Sequence, residues 1–178
     1  MRHAYSVAAV RAAEHSLLSQ QNFDDELMRL AARGVAATAT SMLDSGRHVT
    51  ILAGPGGNGG DGLYAGAFLA EKGYSVEAIL AADSTHDPAL DAFATAGGTI
   101  ANDLGNADLL IDAVAGLAST RGLSRAPLRA YTEAKERGVP VLAVDIPSGI
   151  NADTGVAAAE AVEADVTISF GWARAGHI

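Results

Sequence analysis

The chain of 178 residues contains no cysteine, which excludes disulfides and every thiolate-bound metal or cluster. Aromatic residues make up only 5%, which with abundant alanine and glycine suits layered α/β packing, and the chain shows no internal repeat and no low-complexity linker. Positive charge is scarce as well. Twelve basic residues face 21 acidic ones for a net charge of −9, which argues against a nucleic-acid-binding surface. No apolar run approaches the ~20 residues of a membrane helix. The N-terminus lacks the basic and apolar segments of a signal peptide, so the expectation is a soluble, cytoplasmic protein with no membrane partner. What remains is a chain rich in aliphatics, alanine and glycine, of a length that suits one domain with a sizeable core.

Helical and extended patterns alternate along it. Ser6 caps an expected helix to about Leu18, with Val7, Val10, Ala13, Leu17 and Leu18 at helical spacing. A second helix is expected from about Asp24 to Leu43, with Asp24, Asp25 and Glu26 in its first turn. Extended segments are expected at 49–53, 75–80, 99–101, 109–114, 141–146 and 165–170. Helices are expected at 63–72, 88–96 and 126–137, the last two stopped by Gly97-Gly98 and Gly138-Val139-Pro140. Such alternation implies an α/β domain spanning 1–178. Its N-terminal helices cover 6–43 and a Rossmann-like core covers 48–178, with a mainly parallel sheet between two helical layers. In such sheets ligands bind beyond the carboxyl ends of the strands.

The most informative segment lies at one such end. The β-branched run Val49–Ala53 drops into Gly54-Pro55-Gly56-Gly57-Asn58-Gly59-Gly60-Asp61-Gly62 before an amphipathic stretch. Strand, glycine loop and helix N-terminus together present N–H groups to an anion, and glycine permits close approach or positive φ. Asp61 is placed to cap the helix that follows. No Gly-Lys-Ser/Thr follows, and the pattern does not fit Gly-x-Gly-x-x-Gly, so the spacing implies phosphate or nucleotide without choosing between them.

Two acids stand at other strand ends: Asp112 before Ala113-Val114-Ala115-Gly116, and Asp145 before Ile146-Pro147-Ser148-Gly149. Each could simply cap its own loop. Together beside the glycine loop they also make a pocket, whose carboxylates would need a cation, a proton or N–H dipoles for compensation. Asn58, Asp112, Ser148 and backbone carbonyls would form an all-oxygen shell suited to a hard cation rather than to zinc.

These three motifs, in order and covering most of the chain, resemble the YjeF N-terminal domain family, the NAD(P)H-hydrate epimerases. Val166-Thr-Ile-Ser-Phe-Gly171 and Gly176-His177 are similar to the family's next strand and loop. The resemblance implies a Rossmann-like domain that interconverts the R and S forms of hydrated NADH and NADPH (NADHX and NADPHX). It implies a potassium ion on Asn58, Asp112 and Ser148. It implies substrate contacts from Gly57, Asn58, Gly59, Gly60 and Asp61, from Gly116, Leu117, Ala118, Ser119, Thr120, Arg121 and Gly122, and from Asp145. It also suggests a homodimer and, as in many bacteria, a fused or partner hydrate dehydratase, with this chain as the epimerase part. Three departures stand out: Gly57 where the family has Asn, Ala115-Gly116-Leu117-Ala118 where it has Phe-Gly-Thr-Gly, and Met28-Arg29-Leu30-Ala31-Ala32 where it has Met-Glu-Asn-Ala-Gly. The family's domain also continues beyond the point matching Ile178.

Inversion at the hydroxylated C6 of the nicotinamide ring needs a carboxyl acid/base, and Asp145 is the candidate, since Asp112 would hold the cation. The alternative is a non-catalytic nucleotide-binding or dimerisation scaffold, because the fold does not guarantee the chemistry. A scaffold has no reason to keep Asn58, Asp112 and Asp145 together. His3, His15, His48 and His86 have no paired spacing and read as surface residues. His177 could approach the pocket or lie at an exposed terminus. Ser119 and Ser148 lack a Gly-x-Ser-x-Gly elbow. Trp172 reads as packing, and Glu133, Glu136 and Arg137 as a solvated face.

Overall fold

In the computed structural model, which describes residues 4–116, 122–171 and 175–177, six strands form one sheet in the order β3-β2-β1-β4-β5-β6. The strands are β1 (His48–Ala53), β2 (Ser75–Leu80), β3 (Thr99–Ile100), β4 (Leu109–Ala113), β5 (Val141–Val144) and β6 (Val166–Ile168). Every pairing is parallel. The chain order reverses between β1 and β4, the crevice where open sheets of this kind bind ligands. The helices are α1 (Val7–Leu18), α2 (Glu26–Met42), α3 (Gly57–Glu71), α4 (Asp87–Thr95) and α5 (Arg125–Arg137).

Side chains alternate along each strand and so divide the core in two. Val49, Ile51 and Ala53, with Leu109, Ile111 and Ala113, pack against α2, α3 and α4. Leu52, Ile79, Leu110 and Val141 face α5 through Ala130, Tyr131 and Ala134. Both faces of the central strands are therefore covered, which explains their continuous apolar runs. Thr50, buried on the α5 face, is satisfied by donating to the Leu104 carbonyl at 2.9 Å.

Strand and helix positions match the expectations to within a few residues, with one consequential exception. The third helix begins at Gly57 rather than Leu63, with Gly56 as its N-cap, so Asp61 is not a cap but sits inside the helix. Two of the glycines near this helix start are required by close neighbours, one backbone and one side chain. A Cβ on Gly59 would stand 1.9 Å from the Gly54 carbonyl oxygen, and one on Gly62 would meet Ala113 Cβ at 2.5 Å. These glycines have no positive φ; they are needed for close approach. Positive φ does occur where helices stop, at Gly97 (99°) and Gly138 (68°).

Small residues also set the α2–α3 packing. Ala32, Val35, Ala36 and Ala39 are buried at helical spacing against α3. The N-cap of α2 is Asp25, in the left-handed region at φ 61°, so Asp24 falls outside the helix. Asp25 is held by the buried Tyr64, whose hydroxyl donates to its Oδ2 at 2.8 Å. His86 lies 3.4 Å from Asp25 Oδ1, and its Nδ1 accepts from Ala89 N–H to cap α4. His86 is thus a partly buried structural residue, not the surface histidine that its spacing implied. Helix α1 is peripheral: Ser6 caps it through Ala9 N–H, Val7 N–H donates to Asp153 Oδ1 at 2.8 Å, and only Val10 is buried.

Candidate active site at the strand ends

A cleft of about 660 Å³ opens at the β1/β4 crevice. Its floor is Pro55, Gly56, Gly57 and Asn58, with Val114, Ala115 and Gly116 beyond β4. Asp61 and Asp145 line it from α3 and from the end of β5. Gly122 and Ser124, Ala81 and Ala82 beyond β2, and Phe170 beyond β6 close other sides. Arg11 and Glu14 reach it from α1. The volume falls in the range of small-molecule sites, ~300–1,000 Å³.

The first N–H groups of α3 have no intrahelical acceptor. The first such bond is Gly60 N–H to the Gly56 carbonyl at 3.1 Å, so the preceding N–H groups, without acceptors among the described residues, and the helix dipole favour an anion at this end. Gly59 and Gly60 are buried, the first against the Gly54 backbone and the second against Met28 and His86, and neither lines the cleft. Gly57, Asn58 and Asp61 line it, so the predicted phosphate loop divides into lining residues and packing residues.

Asp112 is fully buried and ties two strand-end loops together. Its Oδ1 accepts from Ser148 Oγ–H at 2.6 Å and from Val114 N–H at 3.3 Å, while Oδ2 accepts from Ser148 N–H at 2.7 Å. Ser148 Oγ in turn accepts from Ala115 N–H at 3.0 Å. Asn58 donates its amide to the Ala115 carbonyl at 2.9 Å. Its Oδ1 is buried and has no hydrogen-bond partner among the described residues. An orphaned amide oxygen, joined through Ala115 to the Ser148 hydroxyl and from there to the Asp112 carboxyl, belongs to an all-oxygen donor set that fits a hard cation. Burial pushes the Asp112 carboxyl pKa up, against the hydrogen bonds from Ser148 and Val114.

Asp145 is 9% exposed and is held at φ 67°, a left-handed conformation rare for a side-chain-bearing residue. Its N–H donates to the Ile168 carbonyl at 2.7 Å, and its own carbonyl accepts from His177 Nε2–H at 2.6 Å. His177 therefore braces the backbone of Asp145 and does not line the cleft. Gly176 makes this approach feasible, since a Cβ there would meet Ile146 Cδ1 at 2.8 Å. Asp61 has its pKa raised to about 8, chiefly by burial and then by the charges of Asp145 and Glu14.

The structure thus brings Asn58, Asp61, Gly116, Gly122 and Asp145 to one cleft, with Asp112 and Ser148 directly behind it. Leu117, Ala118, Ser119, Thr120 and Arg121 lie outside the described residues, as does Trp172. Sequence reasoning missed Arg11, Glu14 and the Ala81–Ala82 wall. An i, i+3 charged pair on an otherwise apolar first helix was the only available signal.

The strand order and the layers define a Rossmann-like α/β fold. The chain matches the family described as YjeF-related protein N-terminus over residues 24–176, and it belongs to that family. The protein named NAD(P)H-hydrate epimerase from Microbacterium testaceum is 40% identical over 98% of this chain and 72% of its own length. The bifunctional NAD(P)H-hydrate repair enzyme Nnr of Mycobacterium leprae is 42% identical over 99% of this chain but only 39% of its own length. The chain therefore spans about two fifths of such bifunctional relatives. A crystal structure of yeast YNL200c shares the fold with a TM-score of 0.80 at 23% identity, covering 99% of this chain and 84% of that one.

Proposed function

We infer that this chain epimerises hydrated NADH and NADPH at C6 of the nicotinamide ring. One observation carries this reading. In a member of the epimerase family, the α3 N-terminus, Asn58 with its orphaned Oδ1 and the strained Asp145 line one cleft, with the buried Asp112–Ser148 pair behind it.

The free N–H groups of α3 bind the substrate's phosphates. Gly57 and Gly116 line the cleft without a side chain, which leaves their backbone open to the ligand. Asn58, Asp112 and Ser148 would hold a potassium ion. When bound, it supplies a fixed positive charge against the phosphates and the Asp112 carboxylate. Asp145 moves the proton at the C6 hydroxyl. The C6–O bond breaks as the oxygen leaves as water, the N1 lone pair forms the C6=N1 iminium, and water returns to the opposite face. His177 and the Ile168 carbonyl fix Asp145 in its left-handed backbone position.

The bifunctional relatives favour a functional link with a hydrate dehydratase, either fused to this chain or as a separate partner. A homodimer and a cytoplasmic location complete the reading. Among the described residues no helix is long and apolar enough to cross a membrane. The test is initial-rate epimerisation of the purified R epimer in potassium buffer, with the epimers separated by chromatography. Acceleration above the spontaneous rate supports the assignment. Absence of acceleration in a folded protein that still binds NADP in that cleft would favour the scaffold reading.

A further inference from the structure

Inversion at C6 makes a demand that one carboxyl does not meet. The hydroxyl leaves from one face of the ring and water arrives at the other, so proton donor and acceptor belong on opposite sides of the same atom. Three carboxyls line the cleft, Glu14 from the peripheral α1 and two from the Rossmann-like core. Asp145 comes from the end of β5 and Asp61 from the second turn of α3. Asp61 was expected to cap this helix. The helix instead starts four residues before it, and its carboxyl, free of that duty, lines the cleft. It makes no hydrogen bond or ion pair with another described residue, whereas the neighbouring Asp112 takes three hydrogen bonds.

We propose that Asp61 is a second catalytic residue of the epimerisation, paired across the ring with Asp145. This rests on the functional reading above. In one direction the Asp61 carboxyl gives its proton to the C6 hydroxyl and becomes a carboxylate. The C6–O bond breaks, water departs and the N1 lone pair forms the iminium. Water then adds to the other face, and its proton passes to the Asp145 carboxylate. Transfer of one proton from Asp145 back to Asp61 through solvent restores the starting state. For the reverse epimer the two residues exchange roles, as microscopic reversibility requires.

The surroundings support this division of labour. Facing Asp61 are Asp145 from the β5 end, Glu14 and Arg11 from α1, and Tyr5 from the segment before α1. The buried Asp112 lies behind the floor. Burial and the charges of Asp145 and Glu14 favour the protonated form of Asp61 at neutral pH, which suits it to start as the acid.

Three variants decide the matter, all assayed in saturating potassium on purified R and S epimers. Asp61→Asn should lower kcat by ~10²–10⁴-fold while KM stays within a few-fold. Asp61→Glu should recover part of the lost rate. Activity of the unaltered chain should fall as pH rises through about 8, as Asp61 loses its proton, and Asp145→Asn should move that limb to lower pH. Carboxyl carbon NMR of the potassium-loaded protein reads the same titration without relying on activity, and stands in if Asp61→Asn does not fold. An Asp61→Asn variant with kcat within threefold of the parent overturns the proposal. So does an Asp61 that titrates in the ordinary carboxylate range. Either result leaves the epimerase reading intact, whereas an unaltered chain that accelerates neither epimer removes both.

Discussion

Replacing Gly59 by alanine tests whether the glycine loop is built as described, because the outcome follows from a single contact. The added Cβ would lie 1.9 Å from the Gly54 carbonyl oxygen and 2.7 Å from its carbon, where real Cβ contacts essentially never fall below 3.0 Å. The obstacle is backbone at the other end of the same loop, so no side chain can swing away. Overpacking against yielding neighbours costs about 1–3 kcal/mol, and rigid backbone places this variant at or above the upper end. Alanine recovers up to ~1 kcal/mol of helix propensity, which leaves a net loss of about 2 kcal/mol or more. Gly57→Ala is the control. Its Cβ meets only Met28 Cε at an ordinary 3.9 Å, so that variant should be neutral or slightly more stable. Denaturant midpoints at unchanged slope give both values, and calorimetry with NADP should show weakened affinity in Gly59→Ala. Stabilities of the two variants within ~0.5 kcal/mol of each other would refute the packing argument.

Asp112→Ala should abolish the potassium-dependent thermal shift and lower stability by ~2–4 kcal/mol, because the Ser148 N–H and hydroxyl lose their acceptor; Asp112→Asn should keep part of both. An identical potassium shift in Asp112→Ala and the parent would remove this residue from the cation site. Asp145→Asn should reduce kcat by ~10²-fold or more with little change in nucleotide affinity; a raised KM at constant kcat would make Asp145 a binding residue instead. Asp61 also predicts a pH dependence of stability. Its folded pKa of about 8 lies above the unfolded value, so its favourable contribution is complete below pH ~4 and is lost as pH rises through about 8. Asp61→Asn should therefore melt higher than the parent by a margin that widens from pH 5 to pH 9, and a constant margin would contradict the burial argument. Tyr64→Phe should cost ~1–2 kcal/mol by leaving Asp25 Oδ2 without its donor, as measured by chemical denaturation.

Most of the layered architecture was legible because buried parallel strands write continuous β-branched runs and their crossover helices end on glycines such as Gly97 and Gly138. The start of α3 was not. Glycine has the second-lowest helix propensity, so 57–62 reads as loop, and only the crowding against Gly54 and Ala113 shows why glycine is required inside a helix. Asp112 and Asp145 were legible as strand-end acids, whereas their different roles depend on tertiary partners. Asp112 is locked by Ser148, 36 residues away, and Asp145 is braced by His177, 32 residues away. Local pattern carries no record of such pairings. Arg11 and Glu14 were hidden for the same reason, since nothing within α1 says which cleft its polar face will border.

The most direct test of the central claim is epimerisation of the purified R epimer in water enriched in oxygen-18, with potassium present. Loss and return of water at C6 predicts that the S product forms faster than the spontaneous rate and carries the heavy oxygen from the first turnovers. Asp145→Asn should suppress both signals together. No acceleration over the protein-free control would contradict the assignment of this cleft as an epimerase site, and accelerated inversion with the original oxygen retained would contradict the mechanism assigned to it.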